Sequence, residues 1–230
     1  MSDEDDFESE PGTSGSRRIF MPPPREPRKA ALYRDLLRKA GLDSAADKLV
    51  LKHVELSTGE SLLHAGCGSG MLAVRLKAKF PEAEVEGVDP GAEALEAAAE
   101  LAEELKQHVL FNKGYLQDLP STAERHDVVV CSLFLHRLRG REDRLEAFDE
   151  FRRVLRPGGR LLLVELGGVP RGLRGWLVRK LAEYERGLDD LLKTGLEEAC
   201  RAGGFPDPKR IGEGPLRPGG GVVREVARRD

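Results

Sequence analysis

From residue 29 onward, two rhythms of apolar residues alternate along the chain. Short apolar runs bounded by Gly, Pro or Asp read as buried strands over residues 62–65, 84–88, 109–112, 126–132 and 161–165. Between them, apolar residues recur three and four apart, which predicts helices. These cover 29–40, with Leu32, Leu36 and Leu37 on one face, a second helix capped by Asp43 or Ser44 and running to 54, then 71–79, 92–106, 141–155 and 191–201. A further helix within 168–187 places Leu173, Trp176, Leu177, Leu181 and Tyr184 on one face. It reads as core packing with a solvated basic side, as a lid over a pocket, or, being short, basic and amphipathic, as a contact for an anionic membrane surface. Gly41, Pro81, Pro157-Gly158-Gly159 and Gly203-Gly204 punctuate the pattern as helix stops and turns. Near the end, 209–212 and 222–227 read as strands joined by a turn at 218–221, forming an antiparallel hairpin. Strand-helix alternation of this kind predicts an α/β fold with a mostly parallel sheet.

One junction carries candidate chemistry. The first run, 62–65, is apolar except for His64 and meets glycines at alternate positions, Gly66, Gly68 and Gly70, with Cys67 and Ser69 between them. Glycines there permit a tight turn and the close approach of a ligand. The helix that follows offers unpaired N–H groups to an anion. A dinucleotide loop would need glycine at 71, where the chain has Met71, so the spacing disfavours a nicotinamide enzyme. Nineteen residues past Gly70, the second strand ends at Asp89-Pro90. A carboxylate at that tip can accept hydrogen bonds from both hydroxyls of a ribose, or it can cap the helix that follows.

The G-x-G-x-G spacing resembles motif I of the class I S-adenosylmethionine-dependent methyltransferases. Four later landmarks resemble that family in order: Asp89, the Gly114 to Pro120 segment, the Pro157-Gly158-Gly159 turn, and the Gly204-Phe205 junction. The nearest pattern is that of ubiquinone/menaquinone-type methylases. The resemblance implies a Rossmann-like sheet of seven strands in the order 3-2-1-4-5-7-6, strand 7 antiparallel, with helices on both faces. It implies S-adenosylmethionine as cofactor, a small-molecule acceptor methylated at O, N or C, and no metal. It places His64, Gly66, Cys67, Gly68, Ser69, Gly70, Asp89, Pro90, Tyr115, Leu116, Cys131 and Ser132 around the cofactor. His136, just past strand four, becomes the candidate base, with a plain pocket wall as the alternative. Two positions depart from the family. His64 stands where an acid usually helps organise the methionine ammonium, and Tyr115 stands where an Asp usually binds the adenine amino group. These departures sustain the alternative of a catalytically inactive binding or scaffold protein on the same fold.

Composition narrows the reading further. The 230 residues are 40% hydrophobic and 33% charged, enough for one ordinary domain, expected over 28–230 with N-terminal helices at 28–56. Residues 1–27 begin with six acids in the first ten positions, continue through Gly, Ser and Pro, and read as a disordered leader. The net charge is −3, so residues 11–230 together carry +3, far from a nucleic-acid footprint. No apolar run is long enough to span a bilayer, and no stable membrane insertion is expected. Three scattered cysteines suggest neither a disulfide framework nor a zinc site, and a cytoplasmic monomer or homodimer is the default expectation.

Overall fold

The computed structural model describes residues 27–39, 41–166, 169, 172–213 and 222–226. The expected leader and the turn at 218–221 therefore lie outside the described residues, apart from Pro27. Seven strands form one sheet: β1 (Ser61–Ala65), β2 (Glu84–Asp89), β3 (Leu110–Lys113), β4 (His126–Ser132), β5 (Leu155–Glu165), β6 (Pro208–Glu213) and β7 (Val222–Val226). Their spatial order is β3-β2-β1-β4-β5-β7-β6. The first five are mutually parallel, and β7 and β6 add an antiparallel pair at one edge.

The period-two alternation of strand side chains divides the core. Leu63, Ala65, Val129, Cys131, Leu161 and Leu163 face one layer, while Leu62, Val128, Val130, Leu162 and Val164 face the other. The first layer is closed by α5 (Arg141–Val154), through Phe148, Phe151 and Val154, and by α8 (Leu196–Ala202). The second is closed by α2 (Leu42–His53) and α3 (Met71–Lys79). The remaining helix between parallel strands is α4 (Ala92–Glu104). A third apolar cluster joins Leu42 and Ala45 of α2 to Leu177, Val178 and Leu181 of α6 (Gly172–Tyr184) and to Leu188 of α7 (Arg186–Thr194).

Several elements differ from the sequence expectation, each for a local reason. α2 starts directly after Gly41 in a left-handed conformation, with no side-chain cap from Asp43 or Ser44. The stretch 191–201 is two helices, because Gly195 at φ 79° breaks the run between α7 and α8. Pro157-Gly158-Gly159 does not separate helix from strand. It sits inside β5 as an irregularity, since Leu155 already pairs with His126 before the regular ladder resumes at Arg160 opposite Val128. In α6, Leu177 and Leu181 point into the core while Leu173 and Trp176 face solvent, so the expected single apolar face is split. Leu32 and Leu36 of α1 (Pro27–Lys39) are exposed as well.

Candidate functional site

The order of strands reverses beside β1, because β2 and β4 flank it while the chain runs β1 to β2 first. A crevice opens at the carboxyl ends of the strands where such a reversal occurs. The glycine loop leaves β1 there. Its first two amides, Gly66 and Cys67, both donate to the Val88 carbonyl of β2 (2.7 and 3.0 Å), which fixes the loop against the neighbouring strand.

The three glycines have three different reasons to lack a side chain. A Cβ on Gly66 (φ 77°) would overlap the Phe134 ring. A Cβ on Gly70 (φ 77°) would lie 2.7 Å from Ala98 Cβ and 2.9 Å from Phe111 Cζ, so this glycine lets α3 approach α4 and β3. Only Gly68 (φ 52°) faces open space, with nothing within 4 Å of its ideal Cβ. Gly68 is the position of the loop that leaves room for a ligand.

Asp89 is buried at the tip of β2, and both its oxygens are engaged. Oδ2 accepts from the Gly68 amide (2.9 Å) and Oδ1 from the Gly91 amide (2.9 Å). The second bond is an Asx-type turn, not a cap on α4, whose N-cap is Gly91 without a side-chain bond. A carboxylate has about four acceptor positions, so two are not used by these amides. Pro90 is half-buried beside it. Cys67 is buried near Asp89, and burial followed by that negative charge pushes its thiol up to about 12, so it stays protonated. Its Sγ lies 3.7 Å from the Gly68 carbonyl. Ser69 is exposed in the loop.

His64 sits one position before Ala65 on β1, fully within the layer under α2 and α3. Neither ring nitrogen has a hydrogen-bond partner. Burial lowers its pKa to about 4, so it is a neutral imidazole at physiological pH. An unpartnered buried polar group costs about 1–3 kcal/mol, so a ligand that reaches it gains by supplying a partner.

At the second edge of the crevice, Tyr115 is half-buried and bridges to Asp118, whose amide donates to the Tyr115 carbonyl (3.1 Å). Leu116 is buried in the main cluster with Val88 and Phe134, so its side chain serves the core. Cys131 is fully buried, its thiol pushed up by burial and then by Glu165, while Ser132 at the end of β4 is half-buried.

His136 occupies the short 3-10 turn Leu135–Arg137 that follows β4. It is buried between two carboxylates. Nδ1 lies 2.9 Å from Glu165 Oε2 at the end of β5, and the His136 amide donates to Glu165 Oε1 (3.3 Å). Nε2 lies 3.9 Å from Glu185 Oε2, on the residue that opens α7. Burial works against the imidazolium, but the charge and hydrogen bond of Glu165, with Glu185 behind them, more than offset it and raise the pKa. The start of α7 is seated directly on this turn, because a Cβ on Gly187 would overlap the carbonyls of His136 and Leu138. The spacing of motifs gave no hint of Glu165 or Glu185. The one available signal was an acid closing the apolar run of β5.

The arrangement suits an adenosyl ligand. Gly68 leaves space, Asp89 keeps acceptor capacity, α3 directs its N-terminus at the loop, and His64 has two unsatisfied nitrogens in a neutral ring. Among the described residues, no group of three or more His, Cys, Asp or Glu could hold a metal ion.

Known proteins resemble this chain in sequence and in fold. Residues 62–159 match the family model described as a methyltransferase domain. The chain is 30% identical over 148 residues to the ubiquinone/menaquinone biosynthesis C-methyltransferase of Syntrophotalea carbinolica, covering 63% of this chain and 61% of that protein. It is 27% identical over 189 residues to the demethylmenaquinone methyltransferase of Deinococcus radiodurans, covering 78% of this chain and 76% of the relative. It thus spans about three-fifths of the length of the first of these relatives and about three-quarters of the second. A crystal structure of an S-adenosylmethionine-dependent methyltransferase from Aquifex aeolicus shares the fold, with a TM-score of 0.61 at 18% identity, over 86% of this chain and 98% of that one. Residues 62–159 thus match a methyltransferase domain, and the chain as a whole is similar to the class I S-adenosylmethionine-dependent methyltransferases, a family whose cofactor is S-adenosylmethionine.

Proposed function

We propose that this chain transfers a methyl group from S-adenosylmethionine to a small-molecule acceptor. The observation that carries the reading is the pairing of Gly68, bare toward open space, with Asp89, which holds the Gly68 amide and still has acceptor capacity. S-adenosylmethionine supplies a methyl already activated on a sulfonium, so the chain need not provide an acid at that end. Asp89 would accept from the ribose hydroxyls. His64, neutral, would accept one hydrogen bond from the ammonium without repelling it. The Tyr115 ring and the Leu116 backbone would border the base. The walls must exclude water and align the acceptor, and such positioning can contribute roughly 7–11 kcal/mol.

His136 is the candidate to meet the acceptor. With Glu165 on Nδ1 and Glu185 near Nε2, the imidazolium is favoured, and the ring serves as a hydrogen-bond donor. The relatives named above act, by their names, on quinone-type molecules, which supports an aromatic or enolic small molecule as acceptor. The atom methylated and the oligomeric state, monomer or homodimer, belong to the same proposal.

Titration calorimetry tests the reading. Binding of S-adenosylmethionine and of its demethylated product at micromolar to low-millimolar concentration is expected. Absence of both, in a folded sample, overturns the enzyme reading and leaves a binding or scaffold protein on this fold.

A further inference from the structure

Among the described residues, exposed apolar side chains concentrate on two helices that also carry an excess of basic residues. Among the described residues, five of the eight large hydrophobic side chains left in solvent are Leu32, Leu36, Val169, Leu173 and Trp176, all on α1, on α6 or just before α6. Leu173 is 73% exposed, Leu32 54% and Trp176 44%. α1 packs along α6, and Lys29 Nζ at the start of α1 lies 5.7 Å from the Tyr184 ring at the end of α6. The helices are therefore antiparallel, which brings Leu36 of α1 to the same end as Leu173 and Trp176.

The same two helices carry eight Lys or Arg against two acids, Asp35 and Glu183, a net of +6 in a chain whose overall charge is −3. Both acids are already paired on their own helices, Asp35 with Lys39 (2.7 Å) and Glu183 with Lys180 (2.9 Å). Arg28, Lys29, Lys39 and Arg179 are exposed at the edges. The inner side of α6 is held by Leu177, Val178 and Leu181 in the core, so its outer side is presented on a fixed support.

We propose that the α1–α6 face docks on the surface of an anionic lipid bilayer, lying in the interface and not crossing it. Apolar side chains flanked by bases are the pattern that anionic membrane surfaces bind, and a Trp suits the headgroup level. No helix among the described residues is long and apolar enough to cross a membrane, which agrees with surface docking. Charge complementarity selects the occupant. A second copy of the same face would oppose +6 to +6. The acids of the chain's own first ten residues are complementary in sign but bring only Met1 and Phe7, and the apolar run Ile19-Phe20-Met21 is flanked by Arg17, Arg18 and Arg25, of the same sign as the face. This inference does not depend on methyl transfer, and its readout is binding alone.

Trp176 is the only tryptophan in the chain and lies in the patch, so its fluorescence reports the docking directly. The full chain is titrated with vesicles of phosphatidylcholine alone and of phosphatidylcholine with phosphatidylserine. A blue shift on the anionic vesicles only, reversed by salt, is expected. Leu173→Glu is expected to weaken partition by more than tenfold. Arg28→Gln and Arg179→Gln, which leave the apolar residues in place, are expected to weaken it about fivefold each. Four results overturn the proposal. One is an unchanged spectrum on anionic vesicles at low salt, and another is an equal shift on both lipids. A third is a lipid-free emission already blue that moves red with salt, which would mean that the leader covers the face. The last is a shift that follows protein concentration and not lipid, which would mean a second copy.

Discussion

Replacing Asp89 separates its two roles, brace and ligand contact. In the resting fold its carboxylate accepts two amide bonds of 2.9 Å, from Gly68 and Gly91, at a buried site. Hydrogen bonds to a charged group contribute about 1.5–3 kcal/mol each. Asp89→Ala removes both, so a loss of about 3 kcal/mol or more in stability is expected, equivalent to about 6–12 °C in Tm for a chain of this size. Asp89→Asn keeps one acceptor oxygen and turns an amino group toward the other amide, so about half that loss is expected. If two further lone pairs hold the ribose, each variant also loses charged contacts to the ligand, and affinity for S-adenosylmethionine falls by well over tenfold.

The assay is titration calorimetry at a temperature where thermal unfolding shows each variant fully folded. The control is Asp127→Asn at the opposite end of the sheet. Asp127 Oδ2 accepts from the Ser61 amide (2.9 Å) and pairs with Arg156 (2.6 Å), so its loss destabilises by a similar mechanism far from the crevice. Reduced affinity in the Asp89 variants alone supports the ribose contact. A folded Asp89→Asn with an unchanged dissociation constant refutes it. An equal loss in Asp127→Asn shows that the effect travels through stability.

The glycines of the loop are expected to divide by function. Gly66→Ala collides with Phe134 and should cost a few kcal/mol of stability. Gly68→Ala meets no neighbour, so it should cost only about 1–2 kcal/mol through its positive φ while lowering cofactor affinity more than tenfold; denaturant unfolding and calorimetry on both variants check the split. His64 is neutral in the fold down to about pH 4 but titrates near 6.5 when unfolded, so its contribution holds above pH 6.5 and falls away toward pH 4. From pH 7 to 5 that is about 2 kcal/mol, and His64→Leu, compared with the parent chain by urea unfolding at both pH values, should lose that much less on acidification. His136 behaves oppositely, since its raised pKa stabilises the fold below about 6.5 and that contribution is lost as pH rises through the folded value. Glu185→Gln should lower the His136 pKa measured by NMR and loosen α7 in hydrogen exchange; an unchanged titration would show that Glu185 does not sense the ring.

What the sequence made legible was local. The strand, the glycine turn and α3 follow from residues adjacent in the chain, and Asp89 follows from one helix and one strand of fixed length. The partners of His136 were not legible, because Glu165 and Glu185 lie 29 and 49 residues away and reach it only through sheet register and the seating of α7. The periodicity of α1 and α6 was readable, but not which side of each would be covered. An apolar stripe indicates that burial is favourable, and tertiary packing decides whether it occurs. Pro157-Gly158-Gly159 reads as a turn by composition, yet β4 supplies ladder partners on both sides of it, so pairing absorbs it as an irregularity in β5.

The buried acids have a consequence for the proposed chemistry. Asp89 and Glu165 are buried at the carboxyl ends of β2 and β5, and the His136 imidazole lies between Glu165 and the buried Glu185. A negative field there favours a cationic sulfonium over the neutral thioether left after transfer, so it holds the reactant and lets the product go. The same field opposes the step itself, because positive charge leaves the sulfur as the methyl moves, and only interactions stronger in the transition state speed a reaction. Rate must then come from alignment, which the chain supplies through rigid parts: a loop bonded to Val88, an aspartate braced by two amides, and a histidine fixed at Nδ1 by Glu165. Softening these parts should lower the rate even where affinity survives, whereas neutralising a distant acid should lower affinity for the sulfonium more than it lowers the rate.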